Sequence, residues 1–408
     1  MTSEKRLFSR INTAPMAMLT VLTLLTPVNA LALQWRNGDW QMHGFLGQGM
    51  TYTDQNQVFG TSKDVSLDFR EMGINGSAKL LPNFLISAQG LYRDTGGSDT
   101  LGTRLDFAQI DYSAPMFNSS LVLGVRGGRV KVPFGLYNDT RDVVWTRPTV
   151  LLPQSIYFDT LALRQAMIAA DGGVLYGRYT HGEHRFNLEF MTAQPQDNTG
   201  GAPAFLTGIP NAQGTLGGRS MFIGRAVYEW MGGRGRLMFS VVDLNRNFRS
   251  TSPTTPSGNI QVTYPLFSGQ YNAEHWSLTA EYGWIATQRT GFQPTPLKNT
   301  SENFYVQGEY RITQDFSTVL RYDVFHVARD DREGKALSKL TGLPSHRFYA
   351  RDITVGARWE FTRNFLLAAD YHYINGTAWL NVKDNPDLMN GGGKSDWSLF
   401  TMMLSFRF

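Results

Sequence analysis

The last thirteen residues, DWSLFTMMLSFRF from Asp396 to Phe408, carry the pattern that decides the fold. Phe400, Met402, Leu404, Phe406 and Phe408 fall on one side of an alternation of period two. Thr401, Ser405 and Arg407 fall on the other, with Met403 the exception. Period two is the signature of a strand, because successive side chains point to opposite faces. In a soluble sheet the apolar face turns inward. Here the opposite face carries hydroxyls and an arginine, which suits a membrane barrel whose apolar face meets lipid and whose polar face lines a lumen.

The same segment recurs upstream. Val355, Ala357, Trp359 and Phe361 alternate with Thr354, Gly356, Arg358 and Glu360. Leu367, Ala369, Tyr371 and Tyr373 alternate with Ala368, Asp370 and His372. Val306, Gly308 and Tyr310 alternate with Gln307, Glu309 and Arg311. Leu278, Ala280, Tyr282 and Trp284 alternate with Thr279, Glu281 and Gly283. Connections between such segments switch between short and long. Short ones fall at 81–83, 115–120, 181–184, 232–235, 273–275, 313–315 and 362–364. Long ones fall near 54–65, 94–103, 131–165, 193–218, 249–258, 290–300, 329–348 and 376–395. Seven short turns and eight long loops join sixteen strands, so the expected fold is an all-β, antiparallel transmembrane β-barrel of about 16 strands. A barrel of that size is wide enough for an aqueous channel.

The amino terminus reads differently. Lys5, Arg6 and Arg10 precede an apolar run from Met16 to Val28, and Ala30 and Ala32 follow it. The run is shorter than the ~20 residues a spanning helix needs. A basic start, a short apolar core and an A-x-A end make a secretory signal, expected over 1–32 with cleavage after Ala30 or Ala32. The barrel then occupies 33–408. The formal charge of +4 falls to +2 without the leader, too little on so long a chain to argue for nucleic acid. Cysteine is absent, which excludes disulfides and thiolate metal sites. No metal spacing, phosphate loop or redox motif is present, so no cofactor is expected.

The third long loop, 131–165, is unusually apolar, with Val143, Val144, Trp145, Val150, Leu151, Leu152 and Ile156. A loop that folds into the lumen and packs on the wall would have that composition. The alternative is a surface loop packed on its neighbours or on another subunit. Infolding would bring Lys131, Asp139, Arg141, Asp142, Arg147, Asp159 and Arg164 to a pore constriction, where fixed charge biases ion passage. By strand parity Arg93, Arg126, Arg225, Arg321 and Arg358 point into the lumen, with Glu71, Glu189, Glu229, Asp323 and Asp370 among them. Counting Arg126 and Arg225 with the loop gives six positive against three negative charges, and hence a weak anion preference that an Arg141→Ala, Arg147→Ala double substitution should reduce. Trp40, Tyr52, Tyr112, Trp230, Trp276, Trp284, Tyr310, Trp359, Tyr373 and Trp397 fall near strand ends, the level that amphipathic rings prefer. His326 with Asp323, and His372 with Asp370, are the acid/base pairs that a barrel enzyme could use, but lining charges fall at that spacing by chance.

The segment GGRVKVPFGLYNDTRD, Gly127 to Asp142, resembles the strand-to-third-loop junction of Gram-negative outer-membrane porins. It is nearest to the phosphate-selective porin family, whose K-x-P-x-G stretch is matched by Lys131, Pro133 and Gly135. The resemblance implies a sixteen-stranded bacterial outer-membrane barrel, a homotrimer, with an infolded third loop. Its partners would be outer-membrane lipid, lipopolysaccharide and the barrel insertion machinery. It also implies passive diffusion of small hydrophilic solutes and ions, or, as the alternative, a specific channel for phosphate or a small organic acid, with an outer-membrane enzyme more remote. The chain departs from the clustered lysines of phosphate-selective members, since no lysine occurs between Lys131 and Lys298. The terminal Phe408 resembles the assembly signal of such barrels. Deleting Phe408 is therefore expected to lower outer-membrane yield, read by heat-shifted gel bands, more than Phe408→Tyr does.

Overall fold

The computed structural model describes residues 33–35, 39–99, 102–210, 212–292 and 297–408. The expected leader, 1–32, lies outside the described residues. Sixteen long strands occur among the described residues. The first six are β1 (Trp40–Thr53), β2 (Arg70–Leu81), β3 (Phe84–Asp94), β4 (Gly102–Met116), β5 (Leu121–Lys131) and β6 (Ala169–His181). They are followed by β7 (His184–Pro195), β8 (Met221–Trp230), β9 (Gly235–Ser250), β10 (Gly258–Asn272) and β11 (Trp276–Thr290). The last five are β12 (Leu297–Arg311), β13 (Phe316–His326), β14 (Tyr349–Thr362), β15 (Phe365–Gly376) and β16 (Asp396–Arg407). Each pairs antiparallel with the next, and β16 closes on β1 from Leu399↔Thr53 to Arg407↔Phe45. Two short strands flank this wall. Leu33–Trp35 pairs with β1, and Gly214–Gly218 pairs with the upper end of β9.

The seven short turns and eight long loops fall where the sequence places them, to within a few residues. Parity is also as read from the C-terminal strand. On β16, Leu399, Thr401, Met403 and Ser405 are buried, while Phe400, Met402, Leu404 and Phe406 are half-buried on the outside. Around the barrel the exposed apolar side chains are outward ones, such as Leu175, Phe190, Leu237 and Leu320. A soluble protein does not leave such a belt uncovered; hydrocarbon covers it here. No described helix is long and apolar enough to cross a membrane. Most of the predicted interfacial rings are outside, including Trp40, Tyr52, Tyr112, Trp276, Tyr310, Trp359 and Tyr373. Trp397 is a correction. It points inward, is 1% exposed, and its Nε1 donates to the Gly376 carbonyl at 2.9 Å.

The interior is packed, which parity alone does not anticipate. Leu152, Ile156, Tyr157 and Phe158 of the third loop join Tyr264 and Leu266 of β10, Ile285 of β11 and Tyr305 of β12 in one apolar cluster. Val144, Trp145, Val150 and Leu151 join Phe45 of β1, Leu366 of β15 and Met403 of β16 in a second. Met403, the residue out of pattern in the terminal strand, is apolar because it faces this loop and not water. Full burial of each large aliphatic side chain contributes ~1.5–3 kcal/mol. Two further loops turn inward that the sequence presents as outer loops. The fourth loop buries Ala202 and Leu206 on its short helix Ala202–Thr207, and Arg289 caps that helix by donating to the carbonyls of Leu206 and Phe205 at 2.6 and 3.2 Å. The eighth loop buries Trp379 and Leu380, and the Trp379 carbonyl accepts from Thr160 of the third loop at 2.8 Å.

A wall in which every strand pairs on both sides unfolds as one unit. The refolded protein should stay folded in SDS at room temperature, shift in gel mobility only on boiling, and give a β-type circular dichroism spectrum. A predominantly helical spectrum is incompatible with this fold.

Candidate functional site

The third loop leaves β5 at Lys131 and rejoins the wall at Ala169. Gly135 turns it into the lumen at φ +62°, where a Cβ would lie 2.8 Å from the Tyr157 hydroxyl and 3.1 Å from Glu281 Oε1. Glycine alone fits that conformation and that gap. The turn lets the Leu136 N–H donate to Glu281 at 3.0 Å. Glu281 stands on β11, six strands round the barrel from β5. It also accepts from Ser268, Tyr157 and Tyr305 at 2.6, 2.7 and 3.0 Å. Further along the loop, Asp323 of β13 accepts from the Gln154 N–H at 2.7 Å, and Asp370 of β15 from the Leu151 N–H at 3.2 Å. Arg321 donates to Thr149 Oγ1 at 2.8 Å and to the Leu151 carbonyl at 3.1 Å. A loop buried in a barrel has no ladder of its own, and an unpaired backbone group costs about 1–3 kcal/mol; the wall acids and Arg321 supply the missing partners. Arg358 does the same near the short-turn end, donating to the Trp145 carbonyl at 3.1 Å, while the Arg407 guanidinium lies 4.5 Å from the centre of the Trp145 ring.

On the opposite side the loop meets the wall through ion pairs. Arg147 reaches Glu71 at 2.8 Å, and Arg93 reaches the same carboxylate at 2.7 Å. Arg141 holds Asp159 at 2.6 Å, with Arg93 at 3.9 Å from it. Burial alone would raise the Asp159 carboxyl, but Arg141 and Arg93 hold it below the usual carboxylate range. Arg164 pairs with Asp106 at 3.3 Å, and Arg104 with Asp99 at 2.8 Å. Lys131 binds Asp142 at 2.8 Å, and Gln89 donates to Asp142 at 2.7 Å. Arg225 bridges Glu189 and Asp139, the latter at 2.6 Å, and Arg126 bridges Asp111 and Glu189 at 3.1 and 3.3 Å.

All seven loop charges named from the sequence therefore come together with Arg93, Arg126 and Arg225. Their roles divide by exposure. The Asp139 side chain is 41% exposed and Lys131 19%, whereas Arg141 and Asp142 are at most 1% exposed. Arg164 and Arg147 are 3% and 7% exposed, and Asp159 12%. The loop's water-exposed edge is Asp139, Thr140 and Thr146. The charge count also changes. Parity turns Glu71 and Glu189 inward without showing that they meet the loop, and spacing does not bring in Asp99, Asp106 and Asp111. With them, the network holds eight cations (Arg93, Arg104, Arg126, Lys131, Arg141, Arg147, Arg164, Arg225) and eight acids (with Asp139, Asp142, Asp159). The six-to-three excess from which a weak anion preference was derived is cancelled by these wall carboxylates.

One of the two histidine pairs is corrected as well. His326 faces outward and contacts Glu302 at 3.2 Å rather than Asp323. His372 contacts Asp352 at 2.8 Å and Thr354 at 3.1 Å through the same ring atom, Nδ1, and its Nε2 lies 3.9 Å from Asp370. A hydrolytic relay needs the acid on one ring nitrogen and the hydroxyl on the other, so this buried trio has the wrong geometry for one. Glu281, the anchor the sequence reading did not single out, was visible only as one mid-strand acid among several. Phe408 pairs with Gly44 in both directions, N–H to carbonyl at 3.0 and 3.2 Å, beside the β16–β1 closure.

Solved structures share this architecture. The outer-membrane channel DcaP of Acinetobacter baumannii aligns with a TM-score of 0.56 and 10% identity, over 92% of this chain and 99% of that one. OmpF of Salmonella typhi, solved as a complex with daunomycin, aligns with a TM-score of 0.55 and 15% identity, over 92% of this chain and all of that one. OmpT of Vibrio cholerae aligns with a TM-score of 0.55 and 9% identity, over 93% and 100%. The chain thus has the sixteen-stranded barrel fold of outer-membrane porins. No family model matches the sequence, and no curated protein matches it.

Arg147 anchors the loop through a buried pair. Arg147→Ala leaves Glu71 with Arg93 alone, so the carboxylate keeps one buried cation and the cost falls below the ~3 kcal/mol of an uncompensated buried charge. The expected result is earlier thermal unfolding in detergent and faster proteolysis within 131–168, with the folded gel band retained.

Proposed function

We propose that the protein is a porin of the bacterial outer membrane, a passive channel for small hydrophilic solutes and ions, with neither energy source nor cofactor. The observation that carries this reading is the water-exposed edge Asp139, Thr140 and Thr146 of an infolded loop, set beside a wall whose inward charges Arg126 and Asp111 also remain partly exposed. Hydroxyls and paired charges at a narrow point let ions and polar solutes exchange hydration for protein contacts. Lys131, Asp139, Arg141, Asp142, Arg147, Asp159 and Arg164 form the proposed constriction, but with distinct tasks: Asp139 and Lys131 meet the solute, and the others hold the loop. A phosphate-selective channel is less well supported, because the cations here are matched by acids.

We infer a homotrimer as well. The Vibrio cholerae OmpT has also been solved in trimer form. In this chain the mid-strand outward face of β1–β6 is aliphatic and small, with Leu46, Ile74, Gly76, Ala88, Gly90, Val125 and Gly127, and its exposed rings Trp40, Tyr52, Phe84, Tyr112 and Tyr179 lie toward the strand ends, whereas on β7–β12 rings such as Phe239, Phe267, Tyr282 and Phe304 also occupy mid-strand. Small side chains permit close approach of another wall.

The decisive measurement is planar-bilayer conductance. Stable steps are expected, with weak ion selectivity in a KCl gradient. Asp139→Asn should shift the reversal potential toward anions, an effect that weakens from 0.1 M to 1 M salt as the screening length falls from ~10 to ~3 Å. The Arg141→Ala, Arg147→Ala pair should leave the potential nearly unchanged. Absence of conductance steps would rule out the channel; a large shift in the arginine pair with none in Asp139→Asn would reverse the assignment of roles.

A further inference from the structure

The outer wall between β7 and β12 carries a groove of about 700 Å³ that the transport path does not use. Its floor is a row of small residues, Gly269 opposite Ala280, with Leu237 and Val306 at the two ends of the row. Its rim is the next row, Phe239, Phe267, Tyr282 and Phe304, each paired across neighbouring strands. The rings of Phe239 and Phe267 lie 4.9 Å apart, and those of Tyr282 and Phe304 6.4 Å apart. All of these side chains point away from the lumen, within the belt that meets hydrocarbon. Toward the short-turn end the groove is lined by Phe186 and Tyr228. Tyr228 stacks on His184, whose Nδ1 contacts its hydroxyl at 2.9 Å. The adjoining turn 231–234 exposes Arg234, which makes no ion pair among the described residues.

We propose that this groove seats one acyl chain of a glycerophospholipid from the short-turn, periplasmic leaflet, with the lipid phosphate at Arg234 and His184. A furrow at hydrocarbon depth cannot be filled by water, and its lining provides dispersion contacts and almost no hydrogen-bonding atoms. A chain is the matching shape. The exposed cation Arg234, in the turn at the short-turn end of the groove, complements a phosphate and gives the chain a direction. The inference concerns the lipid face and is independent of the transport reading.

The groove can be filled without disturbing the fold. A Cβ at Gly269 would meet only Leu237 Cδ2, at an ordinary 3.6 Å, and a Cβ at Gly308, outward but outside the groove, meets nothing within 4 Å. Native mass spectrometry of the full protein in detergent, titrated with phosphatidylglycerol, reads bound lipid and oligomer mass together. Wild type should retain one lipid per chain. Gly269→Leu and Ala280→Leu, each verified as folded by gel shift, should weaken retention about ten-fold by removing the apolar contact area, while Gly308→Leu leaves it unchanged. Arg234→Gln should weaken it as well. Equal retention in all variants, or equal loss in Gly308→Leu, would overturn the site in favour of nonspecific annular lipid. A change of oligomer mass in Gly269→Leu with lipid retention unchanged would overturn it in favour of a second copy of the chain.

Discussion

No water reaches a backbone amide in hydrocarbon, so each strand that crosses a membrane must find its hydrogen-bond partners on neighbouring strands. The pairing of β16 with β1 is where this chain meets that demand, because it leaves the sheet without an edge. Much else follows from closure. A closed wall of sixteen strands has an inside, and the alternation along each strand then divides residues between lipid and lumen. Phe408, one residue past the last ladder position, completes that pairing on Gly44.

Closure at this diameter creates a space too wide for strand side chains to fill. Three loops enter it, and their entry poses the problem of buried polar groups twice over. Backbone donors of the third loop find carboxylates on the far wall, Glu281, Asp323 and Asp370. Its charged side chains find opposite charges on the near wall. The two solutions differ in consequence. Acids that bind amides fix the loop's position, whereas the near-wall ion pairs cancel most of its charge. What reaches solvent is the remainder, Asp139 and Lys131 with the partly exposed Arg126 and Asp111.

The two sides of the wall thus serve different solvents by the same alternation. Inside, mid-strand Arg, Glu and Asp are tolerated because loop groups and water satisfy them. Outside, rings and small residues shape a surface that only hydrocarbon or another apolar wall can cover. At mid-strand, the small and aliphatic outward residues of β1–β6 contrast with the rings of β7–β12, which gives the barrel two distinct exteriors.

Strand number, turn positions and the inward or outward direction of most side chains were determined by the sequence alone, because period-two alternation and turn chemistry act over a few residues. The infolding of the third loop was also legible, through apolar residues such as Trp145 and Ile156 in a place where a solvated loop would be polar. Partners were not legible. Glu71 and Arg147 are 76 positions apart, and Leu136 and Glu281 145 positions apart; only ring closure brings them within hydrogen-bonding distance. The inward turn of the fourth and eighth loops, the direction of Trp397 and the balance of eight cations by eight acids were decided there too. Local sequence sets which face a charge takes, but whether that charge is felt by a solute depends on what lies across the lumen from it.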